Sequence, residues 1–187
     1  ESSFHYPMNV RAILEPVSSF TLFLTASWCF LFLSAMDFNK LFSSGLHCPD
    51  PSDMTDVARQ LAAIIPENLT LLLDGFMGAG KTFFASALAH ALGVEERVSS
   101  PTYDMVNVYA SHSRSIIHVD AYRLETRKAA ENLGIEELLV PPWFLLVEWP
   151  NKAPELAFGE TWRLTIETPS CGGRNLRLAK HLGVRVS

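Results

Sequence analysis

Eight residues, Gly75-Phe76-Met77-Gly78-Ala79-Gly80-Lys81-Thr82, constrain this chain more than anything else in it. They fit the phosphate-loop pattern G-x-x-x-x-G-K-[ST]. Glycines let the backbone curl until successive N–H groups point inward at phosphate oxygens. The helix that follows adds its positive N-terminal end. The candidate phosphate-binding set is therefore Gly75, Met77, Gly78, Ala79, Gly80, Lys81 and Thr82. In it, Lys81 reaches the β- and γ-phosphates and the Thr82 hydroxyl can ligate Mg²⁺. The flanks agree. Leu69 to Leu73 is a continuous apolar run of the kind found in a strand buried on both faces, and Lys81 to Leu92, closed by Gly93, reads as a helix.

Around this unit the chain alternates strand and helix signals. A turn at Cys48-Pro49-Asp50-Pro51 precedes a helix capped by Ser52 or Asp53, with Val57, Leu61, Ile64 and Ile65 on its core face and Pro66 as its end. Strands are expected at Met105–Tyr109, Ser115–Val119, Trp143–Val147 and Trp162–Ile166, and a helical segment at about Leu124–Leu139. This order predicts an α/β domain with a central, mostly parallel (mixed) sheet flanked by helices. Asp120 follows Ile116-Ile117-His118-Val119, and Glu148 follows Phe144-Leu145-Leu146-Val147. Such strand ends are where α/β sheets place ligands. One acid can hold Mg²⁺ and the other can orient or deprotonate an attacking water; the residues themselves leave open which does which.

Composition excludes two classes. With 48% hydrophobic residues the chain is not intrinsically disordered, and a net charge of −5 argues against a nucleic-acid binder working by bulk charge. Val17 to Met36 is uncharged for 20 residues, which as a helix would measure about 30 Å, the thickness of a bilayer core. Residues 1–36 are read as an apolar extension, either translation upstream of a start at Met36 or a membrane-anchor-like segment, and 37–187 as the catalytic domain. Cys29, Cys48 and Cys171 form no Cys-x-x-Cys pair and read as reduced thiols of a cytosolic protein. Arg174, Arg177, Lys180 and Arg185 read as scattered cations on a solvated strand face.

From about Leu41 to Arg185 the chain resembles the TsaE (YjeE) family of bacterial ATPases. Five motifs in the family's order carry the resemblance: the phosphate loop, Ser99-Ser100-Pro101-Thr102-Tyr103, His118-Val119-Asp120-Ala121-Tyr122-Arg123-Leu124, Leu133-Gly134-Ile135-Glu136-Glu137, and Val147-Glu148-Trp149-Pro150. The resemblance implies a P-loop NTPase fold and a cytoplasmic, Mg²⁺-dependent ATP hydrolase. It further implies that TsaB and TsaD proteins are its partners, which transfer a threonylcarbamoyl group to adenosine 37 of ANN-decoding tRNAs. The ATPase would reset that pair and meet tRNA only through it. No membrane partner is expected unless the N-terminal extension is genuine.

The implied roles follow residue by residue. Lys81 and the Met77–Thr82 backbone would hold ATP, and Thr82 and Glu148 would coordinate Mg²⁺. Asp120 would be the second acid, so that Lys81, Asp120 and Glu148 form the catalytic set. Ser100, Thr102 and Tyr103 would belong to a switch-like loop, while Tyr122, Arg123 and Trp149 would support the site or the partner surface. Asp50 would approach the nucleotide, and His118 is read as a packed strand residue, not a catalytic base. Phe76 stands where the family commonly has Asp, and a role for Arg174 near the nucleotide stays open. A small-molecule kinase and a membrane-anchored, nucleotide-gated binding protein are the rival readings of the same loop.

Overall fold

The computed structural model describes residues 40–181, which lie within one compact unit, Asp37–Ser187. The apolar run Val17–Met36 and Arg185 fall outside the described residues. Seven strands form one sheet: β1 (Leu46–Cys48), β2 (Leu69–Asp74), β3 (Val106–Ala110), β4 (Ser115–Asp120), β5 (Trp143–Glu148), β6 (Thr161–Glu167) and β7 (Arg174–His181), in the order β1-β7-β6-β2-β5-β4-β3. The four central strands, β6, β2, β5 and β4, run parallel. Both flanks are antiparallel, β4 with β3 on one side and β6 with β7 and β7 with β1 on the other. The sheet is therefore mixed, and the parallel character expected from sequence belongs to its centre.

That centre is buried on both faces, which is why β2 and β5 read as unbroken apolar runs. On one face, Leu71, Leu73, Ile116, Phe144 and Leu146 pack against α1 (Pro51–Ala62) and α2 (Lys81–Ala91), through Leu61, Phe84 and Leu88. On the other, Ile117, Val119, Leu145 and Val147 pack against Ala130 of α3 (Arg127–Glu131) and Ile135 of α4 (Ile135–Leu138). Alternation along β4 and β5 thus puts His118, Asp120 and Glu148 on the α2 side.

Three boundaries differ from expectation. Helix α1 is capped by Asp50, not by Ser52 or Asp53; the Asp50 N–H donates to the Asp53 carboxylate at 2.8 Å, and the helix starts at Pro51, a favoured first position. It ends at Ala62, and Ile64 beyond it is 45% exposed while Ile65 stays buried. Pro66 disfavours helical backbone in the residue before it, so the last turn is given up early. The expected helix over 124–139 is two short ones, separated at Gly134 with φ 64°. Cys48 is buried at the end of β1, and burial pushes its thiol up to about 11, which keeps it an inert core group. Among the described residues no helix is long and apolar enough to cross a membrane.

Candidate functional site

The phosphate loop joins β2 to α2 as the sequence requires, and its geometry explains two of its glycines. Gly75 has φ 153°, and a Cβ there would lie 2.5 Å from the Ile166 carbonyl oxygen of β6. Gly80, with φ 101°, is the left-handed residue from which α2 starts. The loop is also tied from outside. Arg174 on β7 donates from its guanidinium to the carbonyls of Ala79 at 2.7 Å and Gly78 at 3.1 Å. In a trans peptide the N–H points away from its own C=O, so the Ala79 carbonyl turned to Arg174 aims the Gly80 N–H the other way, whereas the Ala79 N–H is taken by the Phe76 carbonyl at 3.1 Å.

Lys81 is only 5% exposed. Its Nζ donates to the carbonyls of Gly75 and Phe76, at 2.9 and 3.0 Å, and sits 3.7 Å from the centre of the Trp149 ring. Burial pushes its pKa below the ordinary lysine value, while Glu148, Asp120 and Asp74 oppose the shift by favouring the charged form. Trp149 adopts φ 60°, a left-handed conformation unusual for a bulky residue. That turn carries its ring back over Lys81 and to 5.0 Å from the ring of Tyr122.

The two acids are neighbours in register, Asp120 beside Glu148, and both are buried. Their surroundings differ. Glu148 accepts from Thr82 Oγ1, 2.8 and 3.1 Å from its two oxygens, and its Oε1 lies 3.0 Å from His118 Nε2. Asp120 is held by a loop: its Oδ2 accepts from Ser100 Oγ at 2.7 Å and Thr102 Oγ1 at 3.0 Å, and its Oδ1 from the Tyr122 N–H at 3.0 Å. Ser100 and Thr102 also meet each other at 2.7 Å. Two hydroxyl protons thus serve three contacts, an arrangement that re-routes without stranding a donor. Tyr103, next in the loop, is 83% exposed and lies under the Arg123 guanidinium, 4.9 Å from its ring centre.

These groups line one cleft of about 410 Å³, with Met77, Gly78, Gly80, Lys81, Thr82, Ser100, Thr102, Asp120, Tyr122, Glu148 and Trp149 in its wall. Asp50, Tyr103 and Arg123 are not in that wall. A larger groove of about 850 Å³, between α3, α4 and residues 154–158, holds neither acid. Arg174, whose role near the nucleotide the sequence leaves open, ties the phosphate loop from outside, and Phe83, not among the expected site residues, lines the cleft. Arg174 gave no local signal, because the sheet brings it to the loop from 95 residues away. Phe83 had one, since it directly follows the motif's threonine.

The donor set suits Mg²⁺. A carboxylate and a hydroxyl are hard oxygen ligands, and Mg²⁺ bound to a nucleotide takes one or two protein oxygens and completes its shell with phosphates and waters. Among the described residues no three metal-ligating His, Cys, Asp or Glu side chains gather, so nothing there resembles an all-protein cage.

A glycine-hinged loop at a helix start, a desolvated lysine and a hydroxyl–carboxylate pair have a common target in a nucleotide's phosphates and metal, which defines the class: a P-loop nucleotide-binding protein. Comparison with known proteins narrows it. The family described as "Threonylcarbamoyl adenosine biosynthesis protein TsaE" matches residues 48–176, and the chain belongs to that family. It is 31% identical to the tRNA threonylcarbamoyladenosine biosynthesis protein TsaE of Bacillus subtilis over 118 residues, covering 63% of this chain and 73% of that one. It is 35% identical to the TsaE protein of Synechocystis over 112 residues, 58% and 71% of the two chains. The crystal structure of Bacillus subtilis YdiB superposes with a TM-score of 0.61 at 24% identity, over 74% of this chain and 85% of that one, and shows the shared fold. As a family member the chain is an ATP-binding, Mg²⁺-dependent hydrolase of tRNA threonylcarbamoyladenosine biosynthesis.

Proposed function

We propose that this chain binds a TsaB–TsaD pair in the cytoplasm and uses ATP hydrolysis to reset it between transfers of threonylcarbamoyl to adenosine 37 of ANN-decoding tRNAs. The net charge of −5 suits contact with tRNA through the pair and not directly. The observation that carries the reading is the Asp120 clamp on Ser100 and Thr102. It ties a surface loop, bearing the exposed Tyr103, to an acid in the nucleotide cleft. Phe76 and Met77, 85% and 70% exposed on the phosphate loop, add apolar surface beside the same cleft. Exposed aromatic and Met side chains of this kind fit a protein partner that closes over the bound nucleotide.

On this reading Lys81 leaves the Gly75 and Phe76 carbonyls for the β- and γ-phosphates, and the loop N–H groups hold the remaining oxygens. Thr82 and Glu148 hold Mg²⁺, which when bound neutralises charge developing on the phosphates. Ser100 and Thr102 turn their hydroxyls to the γ-phosphate, freeing Asp120 to orient the attacking water. Loss of the γ-phosphate returns the hydroxyls to Asp120 and relaxes the loop against its partner. The test measures ATP hydrolysis by the chain alone and with matching TsaB and TsaD. The rate is expected to be weak alone and to rise when both are added; equal rates would contradict the proposal.

A further inference from the structure

His118 is wholly buried in β4, two residues behind Asp120 on the same face. Its Nε2 lies 3.0 Å from Glu148 Oε1, and its Nδ1 has no hydrogen-bond partner. A carboxylate oxygen only accepts, so the Nε2 proton is assigned by its partner. Nδ1 is then left as a bare acceptor in the core. Buried polar atoms without partners are uncommon because they lose water and gain nothing. A side chain serving only as filling would be better apolar. The one thing the imidazole delivers here is an N–H to Glu148.

We propose that His118 is a positioning residue that holds the Glu148 carboxylate in its metal-binding orientation; the inference rests on the reading of Glu148 and Thr82 as the Mg²⁺ site. Glu148 has two side-chain donors from two elements, Thr82 on α2 and His118 on β4. Thr82 would itself hold the metal, so its hydroxyl would serve two partners. The one hydrogen bond of the His118 side chain goes to the carboxylate. It fixes Oε1 in either state, and the carboxylate need not be reordered each time a nucleotide–metal complex enters. Its position is set by the parallel register of β4 with β5, in which Asp120 pairs with Glu148 and His118 with Leu146. The ring therefore reaches one step along the strand to Glu148 from outside the cleft, whose wall does not include it.

The test is a Mg²⁺ titration of the full chain, read by ATP hydrolysis and independently by binding of a fluorescent ADP analogue. Wild type is compared with His118→Gln, His118→Asn and His118→Leu. Glutamine carries an amide N–H at about the reach of Nε2, asparagine carries it one bond short, and leucine has none. The half-saturating Mg²⁺ concentration should rise about 10- to 100-fold in the Asn and Leu variants by both readouts, and stay within about threefold of wild type in the Gln variant. Binding of the analogue without metal should be unchanged in all four. A wild-type midpoint in the Asn and Leu variants would overturn the proposal, as would a Gln variant as impaired as Leu. Should the Leu variant fail to fold, the Gln–Asn contrast decides alone. A wild-type chain without Mg²⁺ dependence would overturn the metal reading itself, a distinct result from an unaltered midpoint in the variants.

Discussion

The two acids of the cleft sit side by side in register yet are held in opposite ways. Glu148 is gripped by a helix and a strand, through Thr82 at the start of α2 and the fully buried His118 of β4. Asp120 is gripped by a loop, through Ser100 and Thr102, whose hydroxyls have alternative partners. A rigidly held carboxylate suits a metal that must bind the same way every cycle. A carboxylate whose partners can let go suits a step that reports whether the γ-phosphate is present. The difference lies in what each acid packs against, and strand position alone does not reveal it.

Three variants sharpen that comparison. The largest effect is expected from Lys81→Met, which removes the cation proposed to hold the phosphates and should lower hydrolysis on the order of 10²- to 10³-fold. Its stability should not fall with its activity, since burial depresses the pKa of Lys81. Between the lowered value and the ordinary one, the unfolded chain binds the extra proton, so stability rises with pH through that window. Lys81→Met should keep or raise Tm at neutral pH and flatten this slope on the alkaline side below the ordinary lysine value, as measured by calorimetry across pH. An intermediate effect is expected from Ser100→Ala with Thr102→Val. Cutting the loop from Asp120 should slow hydrolysis about tenfold, as for one hydrogen bond to a charged group, while the Mg²⁺ midpoint stays put. A shifted midpoint would erase the division between the acids. The smallest effect is expected from Arg174→Ala, which frees the Gly78 and Ala79 carbonyls and should raise the ATP concentration for half-maximal rate about fivefold, with little change in kcat.

Much of this arrangement is legible in the chain. The apolar runs before Asp120 and Glu148 identify strands buried on both faces, and each acid lies where its run stops. The phosphate loop fixes β2 and α2 from eight residues. Alternation even places His118 on the face of Asp120, but its partner Glu148 comes from a strand 30 residues on, and only the parallel register brings them together. Arg174 is less legible still, because its contact with the loop depends on β7 pairing beside β6 and β1. Ile64 was misplaced for a local reason: its helical spacing is sound, but α1 stops before reaching it. Asp50, an expected nucleotide-binding acid, caps α1.

The most direct measurement of the account is a Mg²⁺ titration of ATP hydrolysis by wild type, Glu148→Gln and Asp120→Asn side by side. Glu148→Gln should raise the Mg²⁺ midpoint strongly, whereas Asp120→Asn should lower kcat by about 10²- to 10⁴-fold at an unchanged midpoint. A midpoint that moves in Asp120→Asn and not in Glu148→Gln would reverse the two roles and contradict the account.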